Sequence, residues 1–145
     1  MNRERVYLEV GKAIALIQLS DRAFKSVILL AFPGTQTHNI SDFEKNGKIL
    51  NKATLGRLIA ILEGRVVLNN NFKVILVDYL GNRNSLAHNW DEIDGWHDDE
   101  RAIGFTREVQ KTAAYLVYVF CAFLRSWMNQ VGIDDVDRRF LELAV

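Results

Sequence analysis

Residue types able to move a proton and grip an anion fall together once in this chain, in Gly81-Asn82-Arg83-Asn84-Ser85-Leu86-Ala87-His88-Asn89-Trp90. Histidine titrates near neutral pH and serves as a general base or acid. Arginine stays charged and forks onto phosphate or carboxylate oxygens, and an asparagine amide can hold either of them by hydrogen bonds. On a continuous helix Asn84 and His88 share a face as i and i+4, while Arg83 lies about 140° from His88, five residues at roughly 100° each. One copy of such a helix cannot aim all three side chains at one point. The bland alternative is an arginine that snorkels its head to solvent and a histidine that caps the helix end.

The element that must position these residues is a third helical segment, expected from about Phe72 to Trp90 after the turn-forming Asn69-Asn70-Asn71. Phe72, Leu76, Tyr79, Leu86 and Trp90 follow helical spacing, and Arg83 falls inside that stripe. A guanidinium is seldom buried without a partner, because desolvating it alone is expensive, so the stripe at this level must meet a carboxylate, water, a ligand or another chain. Gly81 is a point where the last turns could loosen and change the angle between Arg83 and His88.

The other elements are helical as well. Val6, Tyr7, Val10, Ala13, Ile14, Ile17, Phe24, Val27, Ile28 and Ala31 recur at three- and four-residue steps, which predicts a long amphipathic helix from about Arg5 to Phe32, stopped by Pro33-Gly34. A loop with the isolated His38 follows, and Ser41-Asp42-Phe43-Glu44 has capping-box spacing, so a second helical segment starts there. It breaks near Asn51 and resumes at Thr54, with Leu55, Leu58, Ile59, Leu62 and Val66 on one face. Lys45, Lys48 and Lys52 line another face, either as RNA-phosphate contacts or as an ordinary solvated surface. The longest helix is expected from about Arg101 to Gln130, with Phe105, Val109, Ala113, Leu116, Val117, Phe120, Leu124, Trp127 and Val131 at helical steps. Tyr115, Val119 and Phe123 make its middle apolar on most sides, so it needs cover on more than one face, and a second protomer is the natural cover. Gly132 ends it, and Asp134 caps a short final helix through Leu143. These elements predict a single domain over residues 1–145, all-α, an antiparallel four-helix bundle with a short additional C-terminal helix.

Bulk properties narrow the class of function. The 145 residues suffice for one domain with a real core, and 49% are hydrophobic, as in soluble globular proteins. Lys plus Arg equals Asp plus Glu at 18 each, so no global basic field announces nucleic acid and any RNA binding must be local. The amino terminus lacks the apolar run of a signal peptide, and the longest apolar run, Ala113 to Leu124, is too short to span a bilayer of roughly 30 Å. A cytoplasmic protein with no membrane partner is expected. The single cysteine, Cys121, lies in an apolar stripe and reads as a small core residue rather than a nucleophile.

Between Asp91 and Glu100 six of ten residues are acidic, around Gly95-Trp96-His97. Asp91, Glu92, Asp94, His97, Asp98 and Asp99 form either a solvated loop or a regulatory one, whose negative charge discourages non-specific RNA until a partner moves it. A metal site built from His88, Asp91, His97 and Asp98 is a third reading, although the spacing matches no standard ligand pattern; neither a metal nor a cofactor is expected.

Arg83-Asn84-Ser85-Leu86-Ala87-His88 resembles the R-N-x-x-x-H signature of the HEPN superfamily, small all-helical proteins of toxin-antitoxin, abortive-infection and CRISPR-linked systems, many of them metal-independent ribonucleases. The order and length of the helical segments agree over roughly residues 5 to 130. The resemblance implies an endoribonuclease of anti-phage defence type with a composite active site at a homodimer interface. A two-fold pair would set two copies of Arg83 and His88 around one scissile phosphate, supplying the second acid-base group that one chain lacks. In that reading Arg83, Asn84 and His88 are catalytic, RNA is the substrate, and an antitoxin or partner nucleotidyltransferase is a candidate regulator. The chain departs from the related R-x4-H-x-Y pattern, whose tyrosine a partner nucleotidyltransferase modifies: Trp90 stands there and has no hydroxyl to receive AMP. A reading from a different class is a non-catalytic HEPN-like dimer serving as an interaction or regulatory subunit, which the zero net charge and the acidic stretch favour.

Overall fold

A computed structural model describes residues 3–30, 54–65 and 67–131 of the chain. Among them are four α-helices, α1 (Arg3–Leu30), α2 (Leu55–Arg65), α3 (Asn70–His88) and α4 (Asp99–Val131), with a 3-10 turn over Trp90–Glu92 and no strand. The protein is all-α, as the apolar periodicity predicts. None of these helices is long and apolar enough to cross a membrane. His38, the Ser41 capping box, Lys45, Lys48, Lys52, Val66 and the helix expected from Asp134 lie outside the described residues.

The chain divides into two compact units, residues 1–18 with 69–116 and residues 19–68 with 117–145. In the first unit, Val6, Val10, Ala13 and Ile17 of α1, Leu76, Tyr79 and Leu86 of α3, and Ala102, Val109, Ala113 and Leu116 of α4 are buried. Each set recurs at three-, four- or seven-residue steps, so a single stripe of each helix leaves water. Polar bonds add a direction to this packing. Arg3 reaches the Trp96 carbonyl and Asp99, and Glu9 receives Arg107 and Gln110, so the early parts of α1 and α4 advance the same way along one another.

Glu9 is the buried ionic centre of this pairing. Its carboxylate accepts from Gln110 Nε2 at 2.9 Å, Lys12 Nζ at 3.2 Å and Arg107 Nη2 at 3.4 Å, and its backbone carbonyl accepts a second bond from Gln110 at 2.8 Å. The Gln110 amide, then Lys12 and Arg107, all favour the ionised form and hold its pKa at about 2, below the usual carboxylate range. Three donors from two helices offset the desolvation of the carboxylate, which a single partner would not do.

In the second unit the core holds Ala23, Phe24, Val27, Ile28 and Leu29 of α1, Leu55, Leu58, Ile59 and Leu62 of α2, and Phe120 and Leu124 of α4. The rings of Phe24 and Phe120 stack with centroids 4.7 Å apart and planes 3° from parallel. The α2 face is the one its spacing predicts, and Thr54 caps the helix by accepting from the Arg57 amide at 3.3 Å. Cys121 is half-buried rather than a core residue. Desolvation pushes its thiol pKa up, with Arg125 partly opposing, so the nucleophilic thiolate is disfavoured.

Several expectations need correction. Tyr7 and Ile14 of α1 are exposed although helical spacing put them in its apolar stripe, while Tyr115 and Phe123 of α4 are exposed outside the buried stripe of Val109, Ala113, Leu116, Phe120 and Leu124. Spacing ranks the side chains around a helix but not the width of the stripe that a neighbour covers. α3 begins two residues earlier than expected, because Asn69 sits just outside it with φ −59° and ψ 135° and its side chain accepts the Asn71 amide at 2.8 Å. Only Asn69 of the three asparagines is therefore a turn residue. The same helix ends at His88, so Trp90 belongs to the 3-10 turn and not to the helix.

Candidate functional site

Gly81 does not loosen α3, which runs unbroken from Asn70 to His88. The straight-helix geometry therefore holds, and the roughly 140° between Arg83 and His88 remains. Arg83 is half-buried and shares its side of the helix with the buried Leu76, Tyr79 and Leu86. His88 is exposed at the last helical position. Asn84 bonds to the one and shares a helix face with the other: its Oδ1 accepts a hydrogen bond from Arg83 Nη1 at 3.1 Å, and His88 follows at i+4. The guanidinium stem thus rises in the covered stripe while its head meets a residue on the histidine face.

Beyond the helix the chain is pinned closely. The Asn89 amide donates to Ser85 O at 2.9 Å and closes the last turn. Trp90 Nε1 donates to Leu86 O, folding the indole back over the end of α3. Its ring lies 5.4 Å from that of the buried Trp96 and 6.3 Å from that of Tyr7 on α1. Arg3 completes the cluster, with Cζ 5.2 Å from the Trp96 ring centroid and 5.9 Å from that of Tyr7. It also donates to Trp96 O at 2.8 Å and pairs with Asp99 at 3.0 Å, and the Asp99 hydrogen bond is the main reason that its pKa is raised.

The acidic stretch is accordingly more than a solvated loop. Ile93 and Trp96 are buried and anchor it. Asp98 caps α4, its Oδ1 accepting from the amides of Glu100 and Arg101 at 3.0 Å each. Asp99 and Glu100 lie in the first helical turn, where the helix dipole favours negative charge. Asp94 pairs with Arg101 at 2.5 Å. Gly95 has φ 74°, in the left-handed region, which is why a glycine stands at this corner. Asp91, Glu92 and His97 are exposed. Half of the negative charge here thus builds the start of α4, a role that composition alone did not reveal.

Among the described residues no three His, Cys, Asp or Glu side chains converge as a metal-binding group, so His88, Asp91, His97 and Asp98 do not assemble one. Sequence reasoning also passed over Arg3, Glu9, Arg107 and Gln110, whose partners lie more than ninety positions away in the chain and leave no local spacing signal. The arrangement offers an exposed proton-transfer group, an arginine held by an amide one turn earlier, and an aromatic cluster that begins two residues after the histidine. Comparison with family models, curated proteins and solved structures finds no match to this chain.

Proposed function

We propose that the chain is a metal-independent endoribonuclease of HEPN type, working as a homodimer in the cytoplasm and belonging to the toxin or abortive-infection class. The observation that carries this reading is the Arg83–Asn84 hydrogen bond one turn before an exposed His88. A core arginine needs only a structural partner, whereas here the guanidinium meets the amide that shares the histidine face. His88 moves the proton of the 2′-hydroxyl or of the leaving 5′-oxygen, Arg83 grips the phosphate and its developing charge, and Asn84 orients Arg83. Attack of the 2′-oxygen on phosphorus breaks the bond to the 5′-oxygen, which takes up a proton. The two proton transfers call for two acid-base groups, and a two-fold copy supplies the second His88.

The exposed face of α3 supports such a pairing. Val74 and Val77 are 58% and 52% exposed, and a side chain at Gly81 would meet nothing within 4 Å. On a straight helix these three fall within about 40° of His88, so a partner covering the valines comes to the histidine as well. An antitoxin is the regulator that this class implies; a partner nucleotidyltransferase would need an acceptor other than Trp90, which has no hydroxyl. The second reading, a non-catalytic regulatory subunit, is favoured by the exposed Asp91 and Glu92 directly after the motif, which repel an anionic substrate.

Cleavage of labelled RNA with EDTA present, and growth arrest on expression, test the proposal. Activity retained in EDTA and abolished by His88→Ala or Arg83→Ala, with circular dichroism and dimerisation unchanged, is the expected outcome. Cleavage that persists in both folded variants rejects the assignment, and no arrest by either the wild type or His88→Ala turns the choice toward the regulatory subunit.

A further inference from the structure

The aromatic cluster beyond α3 is built more carefully than a chain end requires. Tyr7 is 53% and Trp90 39% exposed, yet the indole is fixed from behind by Leu86 O and by the buried Trp96. An exposed ring braced by a hydrogen bond and a buried neighbour loses little entropy on binding, as in recognition surfaces built on aromatic anchors. Their surroundings decide what they bind. Arg3 is neutralised by Asp99, Arg101 by Asp94, and Asp98 is spent on the α4 cap. Asp91 and Glu92, next to Trp90, are exposed and make no ion pair among the described residues, and Glu4 is exposed one turn before Tyr7 and Leu8. The surface therefore joins electron-rich ring faces to unspent carboxylates, a combination complementary to a cation.

The molecule contains its own precedent. A guanidinium, that of Arg3, already lies over Tyr7 and Trp96 in this cluster with a carboxylate as its second partner. We propose that Tyr7, Trp90, Asp91 and Glu92 form a docking surface for an arginine-bearing segment of a partner protein. Trp90 follows His88 by two residues, at most about 7 Å from Cα to Cα, so an occupied surface shields the histidine. Docking itself does not depend on the ribonuclease reading, because it is measured without RNA cleavage.

The test is the anisotropy of a fluorescein-labelled octa-arginine peptide titrated with the full chain at low and physiological salt. Saturable binding is expected, with affinity lowered about 2- to 30-fold by Trp90→Leu and by Tyr7→Leu, which leave charge untouched. Asp91→Asn with Glu92→Gln should also weaken it and flatten its salt dependence while keeping both rings. That pair keeps the test decisive if Trp90→Leu fails to fold by circular dichroism. Equal affinity in the wild type and in the folded ring and carboxylate variants overturns the proposal, as does the absence of saturable binding. Labelled octa-uridylate binding more tightly than octa-arginine, and lost in the ring variants, would assign the surface to RNA and overturn it too.

Discussion

Two polar places in the first unit, both on helices and both built around a charge, differ in who completes them. Glu9 is buried, and the chain itself brings it Lys12, Arg107 and Gln110 from two helices. The Arg83–Asn84–His88 group links its arginine to Asn84 and ends in an exposed imidazole. A charge whose donors all come from its own fold serves architecture; a charge-bearing set that ends at the surface is open to a ligand or a second chain. The same distinction sorts the acidic stretch, where Asp98 and Asp99 are used by the fold and Asp91 and Glu92 are not.

The largest expected effect falls on the open group. His88→Ala lowers RNA cleavage by about 10²- to 10⁴-fold, the usual contribution of a proton-transfer residue, while the urea midpoint stays unchanged because the side chain is exposed. A folded, dimeric variant that cleaves at wild-type rate removes the functional half of the comparison. Leu86→Ala sharpens it from the other side. Leu86 is fully buried between Arg83 and His88 in sequence, and its truncation should cost about 2–5 kcal/mol in urea unfolding, a stability loss with no such specificity for the reaction. A loss below about 1 kcal/mol would mean that the end of α3 is not packed as described.

Glu9 gives an intermediate effect with a defined pH signature. Its folded pKa of about 2 lies below the ordinary value of 4.5, so the folded state binds that proton less readily than the unfolded one. The contribution is therefore fully present above about pH 4.5 and is lost as the pH falls toward 2. Glu9→Gln should be less stable than the wild type at pH 7, with the gap closing through this window; parallel stability curves across it would show that Glu9 is not the ionic centre of the α1–α4 pairing. The smallest effect is expected at the exposed Lys111–Glu108 pair, 2.8 Å apart at i and i+3. Lys111→Ala should change unfolding free energy by less than about 0.5 kcal/mol, and a larger change would blur the line between solvated and fold-completing charges.

Legibility in the sequence followed the range of the interaction. The buried faces of α1, α2 and α4 were readable from their spacing, since Val6, Val10, Ala13, Leu58, Leu62, Val109 and Leu116 occupy the positions that helical period assigns. Arg83 inside an apolar stripe was visible for the same reason. The exposure of Tyr7 and Ile14 was not, because it depends on which neighbour reaches that side of the helix. Asp98 as a cap and Arg3 as a clamp on the Trp90–Trp96 turn were also hidden, one inside an acidic run and the other ninety-three positions from the carbonyl it binds.

The order of residues by itself determined that this chain is helical, which stripe of each described helix leaves water, and where an arginine, an asparagine and a histidine stand in one turn and a half. Those are consequences of a 3.6-residue period and of the cost of wetting apolar side chains, and both act locally. Only the tertiary structure decided that Glu9 ends among three donors, that Trp90 folds back between Tyr7 and Trp96, and that half of the acidic run is consumed in starting α4. Such outcomes depend on hydrogen bonds and ring contacts between residues distant in the chain, whose geometry exists only once the helices have packed.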